Sequence, residues 1–131
     1  MKLALKRCSK NIISADCVNF DLTVSSLINA TLTNQIKIND NLYLIYDIEA
    51  KESNKPINFA LIKEESEDNF TFLEFINGDV IFVRKNNEGL VVDIEEEDLD
   101  FLYINYMEKT LVSEKKNLRL DTLEIPKHIN I

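Results

Sequence analysis

The chain has 131 residues, 23 acidic and 15 basic side chains and a net charge of −8. Hydrophobic residues make up 45% and charged residues 29%, the balance of a folded domain and too apolar for a disordered segment. The length corresponds to one domain, residues 1–131, and the carboxylate excess argues against a duplex nucleic-acid binder, whose affinity comes from Lys and Arg on phosphates.

At the N-terminus only Leu3, Ala4 and Leu5 separate Lys2 from Lys6 and Arg7. A secretory signal needs an apolar run of about 7–15 residues, so none is expected. No stretch approaches the roughly 20 apolar residues of a membrane span. The expected location is the cytoplasm, with no membrane partner. Cys8, Cys17 and His128 are too few for a four-ligand zinc site. In a reducing compartment the cysteines are expected as two free thiols.

Phe20, Leu22 and Val24 alternate as in a short strand, and so do Ile36 and Ile38. Between them Leu27, Ile28 and Thr31 suit a helix over 25–34. Residues 42–48 form a continuously apolar strand, and Ile57, Phe59 and Leu61 give a half-buried one by period two. Phe70–Ile76, Asn77-Gly78 and Asp79–Val83 read as a hairpin, since Asn-Gly suits a type I′ turn. A second turn at Asn86–Gly89 leads to a strand at 90–94. Fifteen asparagines and only two glycines occur, so asparagine is expected to take over turns that need a left-handed residue.

The period then changes. Leu99, Leu102, Tyr103, Tyr106, Met107 and Leu111 recur at spacings of three and four, one face of a helix. Asp98 suits its N-cap, and Phe101 and Ile104 widen the stripe. Leu118–Ile125 reads as a last strand stopped by Pro126. The expected fold is therefore α+β: an antiparallel β-meander at about 42–94 with a packed amphipathic helix at about 98–114.

No glycine-rich phosphate loop is present, and His128 is the fourth residue from the end, with no nucleophile pattern around it. No cofactor, no metal and no catalytic residue are expected, and the chain does not read as an enzyme. The carboxylates are what stands out. Asp93, Glu95, Glu96, Glu97, Asp98 and Asp100 fall within eight residues, and Glu64, Glu65, Glu67 and Asp68 form a second focus. Asp47 and Glu49 with Asp93 and Glu95 would be needed to build a two-metal site from separate strands. A charged strand end and an acidic helix start account for the same residues without chemistry.

The charge is unevenly spread. Residues 1–63 carry eight basic and six acidic side chains, residues 64–108 two and fourteen, and residues 109–131 five and three. The net charge thus arises from the middle segment. Like charges held close oppose compaction, which a basic partner would relieve.

With these two acidic foci, its size and its missing catalytic set, the chain resembles small acidic bacterial toxin-immunity proteins. The resemblance implies tight binding to a basic toxin domain, often a nuclease, by masking its active site. The ten acidic residues of the two foci are the expected partner-binding residues, with Tyr43, Tyr46, Tyr103 and Tyr106 as aromatic anchors where exposed. Two other readings use the same features. An acidic secretion chaperone would dimerise through the 98–114 helix and hold an extended client, and a metal-dependent enzyme would use the carboxylates. The sequence leaves monomer and homodimer open.

Overall fold

Two continuous apolar runs, residues 42–46 and 80–83, lie at the centre of one of two sheets. A computed structural model describes residues 1–17, 20–67, 69–112 and 117–130. Among them are β1 (Lys2–Lys6), β2 (Ile13–Asp16), α1 (Phe20–Ile28), β3 (Thr33–Lys37), β4 (Leu42–Asp47), β5 (Ile57–Ser66) and β6 (Asn69–Asn77). There follow β7 (Val80–Lys85), β8 (Val91–Val92), α2 (Glu96–Asn105), β9 (Tyr106–Val112) and β10 (Asn117–Ile125). One sheet has the order β2-β1-β7-β4-β3, with β8 on β7 where β1 begins; the other has the order β6-β5-β10-β9. All pairs are antiparallel except β5 with β10. This is the expected α+β architecture, rich in antiparallel sheet.

Alternation along the central strands assigns each face. Ala4, Leu42, Leu44, Val80 and Phe82 pack between the sheets against Phe59, Leu61, Ile76, Leu123 and Ile125. The intervening Leu3, Leu5, Ile45, Ile81 and Val83 pack with Val24, Ile28 and Ala30 from α1 and the turn after it. The first sheet is thus buried on both faces, which is why β4 and β7 read as unbroken apolar runs. Phe59 and Phe82 are almost wholly buried, and each such side chain contributes about 1.5–3 kcal/mol by burial.

Several elements depart from the sequence expectations. The helix expected at 25–34 occupies 20–28, so the strand expected at 20–24 does not form. Asn29 stops the helix at a φ of 50°, the left-handed position that asparagine tolerates. Lys55 Nζ then caps the Ile28 and Asn29 carbonyls at 3.2 and 2.7 Å while pairing with Asp47 at 2.6 Å. The expected Asn77-Gly78 hairpin is absent. Gly78 has a φ of 79°, but Asn77 is not among the positive-φ residues, and a type I′ turn needs both. The chain instead crosses there from one sheet to the other, and the hairpin joins β5 to β6 through the acidic 64–68 segment. The turn at Asn86–Gly89 forms as expected, with Asn86 Oδ1 accepting the Glu88 and Leu90 N–H groups at 3.0 Å.

The helix expected at 98–114 ends at Asn105, and residues 106–112 pair with β10; residues 113 and 114 lie outside the described ones. Spacings of three and four continue past 105. However, Tyr106, Thr110 and Val112 favour a strand, and β10 supplies the partner. Its pairing with β5 covers only Thr122–Ile125, so the rest of the β9–β10 hairpin is an arm. The Lys109 ammonium lies 4.6 Å from the centre of the Phe70 ring on β6, so the arm turns back across the second sheet.

A buried polar knot ties the sheets together. Asn58 Nδ2 donates to the Lys6 carbonyl at 2.9 Å and to the Gly78 carbonyl at 3.0 Å, while its Oδ1 accepts from Lys6 Nζ at 2.8 Å. Lys6 Nζ also donates to the Arg7 carbonyl at 2.8 Å. One amide thereby joins β1, β5 and the β6–β7 crossing. Asn58→Ala leaves the buried ammonium with one acceptor fewer and two carbonyls without their amide donor, so it should cost about 2–3 kcal/mol in urea unfolding. Removing the ammonium as well, in Asn58→Ala with Lys6→Met, should recover part of that loss, whereas additive losses would mean that the pair is not coupled.

Candidate functional site

The carboxylates of residues 93–100 do different work from one another. Asp98 is 5% exposed. Its Oδ2 accepts the Glu95 N–H at 2.9 Å and its Oδ1 accepts from Arg84 at 2.9 Å. The expected N-cap position is therefore corrected: Glu95 caps α2, and Asp98 reaches back to it from the third helical residue. Arg84 also lies 3.5 Å from Glu95 and 3.2 Å from Glu97. A single guanidinium holds three carboxylates, two of them on exposed side chains. Asp93 Oδ1 accepts the Lys2 N–H at 2.8 Å and ends the first sheet. Glu96 and Asp100 are exposed and carry no ion pair among the described residues.

The second focus is the β5–β6 hairpin tip. Glu65 accepts from the Thr71 hydroxyl at 2.8 Å. Glu65 and Glu67 are exposed and Glu64 is half-buried. Asp68 lies outside the described residues.

Strand directions bring the two foci to one end of the fold. Lys63, just before the tip, pairs with Ile125. Three residues on, His128 Nε2 meets Asp40 Oδ1 at 3.0 Å. Asp40 in turn lines a small cleft with Arg84, Glu97 and Asp98. The hairpin tip and the start of α2 thus stand at the end where β4 begins and β7 finishes. Asp47, at the opposite end of β4, is paired with Lys55, and its Oδ1 accepts the Glu49 N–H at 2.9 Å. Asp47 and Glu49 are therefore not brought together with Asp93 and Glu95. Among the described residues no group of three or more His, Cys, Asp or Glu side chains is arranged to hold a metal ion. None of the helices described is long and apolar enough to cross a membrane. Both cysteines are free thiols.

Of the tyrosines named as anchors, Tyr103 is 55% exposed, and its hydroxyl donates to the Ile12 carbonyl at 3.2 Å. Tyr43 and Tyr46 are half-buried on β4. Tyr106 packs edge-on against Phe59 with ring centres 5.9 Å apart. Its buried hydroxyl has no hydrogen-bond partner among the described residues.

Sequence reasoning missed the group around Lys6. The Lys6 ammonium is 5.4 Å from the Tyr106 ring centre. Burial lowers its pKa from 10.5, with Asp121, Cys8 and Asp79 opposing the shift. Burial raises the Cys8 thiol from 9.0, helped by Asp79, whose carboxylate accepts the Cys8 N–H at 2.9 Å. Burial beside Asp121 raises the Tyr106 phenol well above its ordinary value. A lysine in a strand that otherwise reads Leu-Ala-Leu gives no sequence signal of burial, because its usual place is the surface.

No protein family, no curated protein and no solved structure matches this chain.

Two outcomes follow. Arg84→Ala leaves the buried Asp98 carboxylate unpaired between Glu95 and Glu97, so it should destabilise by about 3–5 kcal/mol in denaturant unfolding. Salt should soften the loss by screening the two exposed carboxylates. For Lys6 the pKa is lower in the native state than in the unfolded chain, so the unfolded state binds the proton more tightly. The burial penalty is full at neutral pH and fades as pH rises through the lowered value towards 10.5. The unfolding free energy of the natural protein minus that of Lys6→Met should therefore grow over this alkaline range; a flat difference would contradict it. Lys6 itself acts on the Cys8 thiol, so both chains are compared in a Cys8→Ser background.

Proposed function

We propose that the protein is a binding inhibitor of the immunity-protein kind, which neutralises a basic toxin domain by covering its active site with the acidic end of the sandwich. The observation that carries this reading is that the strand directions turn the two acidic foci, thirty residues apart in sequence, toward the same end of the fold. Within that end the charges divide by role. Asp93 and Asp98 hold the fold, Arg84 braces Glu95 and Glu97, and Glu64, Glu65, Glu67, Glu96 and Asp100 are left for a partner. A braced carboxylate gives up little side-chain freedom on binding, which lowers the cost of association. Complementary charge on a toxin's substrate cleft would steer the encounter and select the partner.

The test mixes the chain in stopped flow with the product of the adjacent gene, which this reading requires to be a basic protein. A one-to-one complex should form, with an association rate that falls steeply as salt rises from about 10 to 150 mM, where the screening length shrinks to about 8 Å. Charge reversal at Glu67, Glu96 and Asp100 together should slow association about tenfold or more and leave the unfolding midpoint nearly unchanged. A rate indifferent to both salt and charge reversal would sink the acidic-end reading.

A further inference from the structure

The opposite end of the first sheet carries a different surface. The β1–β2 connection, the free edge of β2, the end of α2 and the start of β9 frame two adjoining clefts of about 330 and 470 Å³. Arg7 and Lys10 border the first and Tyr103 and Tyr106 line the second. Asn11 and Ile13 belong to both, so the clefts adjoin at these two residues and together form a groove. β2 has one strand neighbour, β1, and its other edge is unpaired among the described residues. Ile13 is 47% exposed and Tyr103 is 55% exposed, which gives the groove an apolar floor.

Two features indicate what would lie there. Arg7 and Lys10 are both exposed, and neither makes an ion pair among the described residues. Lys2 and Lys37 also lack one, but Arg7 and Lys10 lie together in one turn, the Lys10 N–H donating to the Arg7 carbonyl at 3.1 Å. They sit at the end of β1 away from Asp93 and the acidic foci. The groove also opens at Ile13 onto the start of β2, whose unpaired edge continues through Asp16. That shape suits an extended chain better than a compact anion.

We infer that this groove binds an extended acidic segment of a partner protein. The segment's backbone adds to the free edge of β2. A carboxylate meets Arg7 and Lys10, and an apolar side chain rests on Ile13 and Tyr103. The surface is separate from the acidic end and does not depend on the inhibitor reading.

The test titrates the ¹⁵N-labelled protein with the hexapeptide acetyl-Glu-Val-Glu-Phe-Glu-Val-amide, with its lysine counterpart, and with free glutamate. Amide shifts at Asn11–Asp16 and Tyr103 are expected with the acidic peptide alone. Arg7→Glu with Lys10→Glu should weaken the acidic peptide at least tenfold, as should Ile13→Lys. All three positions are exposed, and shifts outside the groove should stay in place to show intact folding. Equal binding of the lysine peptide, equal shifts from free glutamate, shifts confined to other residues, or unchanged affinity in the charge-reversed variant would each overturn the proposal. So would a homodimer on light scattering that buries the same amides, since the occupant would then be a second copy.

Discussion

The amide of Asn58 is the constraint on which the sandwich depends. Apolar burial between the sheets has no direction and would tolerate sliding of one sheet over the other. Three hydrogen bonds from one side chain, to Lys6 twice and to Gly78 once, forbid it. Buried polar groups are costly unless satisfied, so only the register that satisfies them is stable. The same knot holds the crossing at Gly78, where the backbone passes from β6 to β7. A Cβ at Gly78 would meet Lys55 Cδ at 3.0 Å, on a backbone with φ of 79°. The positive φ is what favours glycine there, and the Lys55 side chain would have to shift slightly to admit a Cβ.

The inter-sheet layer has a basic side chain at each end. Lys6 follows Ala4 on the inner face of β1, and Arg84 follows Phe82 on the inner face of β7. Their partners differ. Lys6 is met by neutral oxygens and an aromatic ring, Arg84 by three carboxylates. The first arrangement leaves a buried charge short of compensation; the second fixes the orientation of the acids that a partner would meet. Fold stability and surface chemistry are thus coupled at the Arg84 end, because Asp98 both accepts the backbone N–H of the Glu95 cap and anchors the cation that braces Glu95 and Glu97.

Much of this was legible in the sequence. Continuous apolar runs marked β4 and β7, Asn86–Gly89 marked its turn, and Pro126 marked the end of β10. What failed did so where two physical signals coincided. Asn77-Gly78 carries the residues of a hairpin turn, but the flanking runs are apolar on both faces, and that pattern fits strands in separate layers equally well. Leu102, Tyr106 and Thr110 keep helical spacing, yet strand formation from Tyr106 onward depends on β10, some ten residues later. For the acidic foci, each run was visible in sequence and their shared end of the fold was not. That shared end depends on the parallel pairing of β5 with β10, which no local pattern encodes.

That parallel pair has a consequence for how the chain is made. Ala60 lies beside Thr122 and Lys63 beside Ile125, sixty-two positions apart in each case. During synthesis the β5–β6 hairpin emerges long before its second neighbour. One edge of a largely apolar strand is then open, the exposure that invites pairing with other chains. The acidic tip of that hairpin is already present at this stage. Repulsion between nascent copies would keep the open edges apart, so the same carboxylates would serve as an aggregation guard before there is a folded surface for any partner to meet.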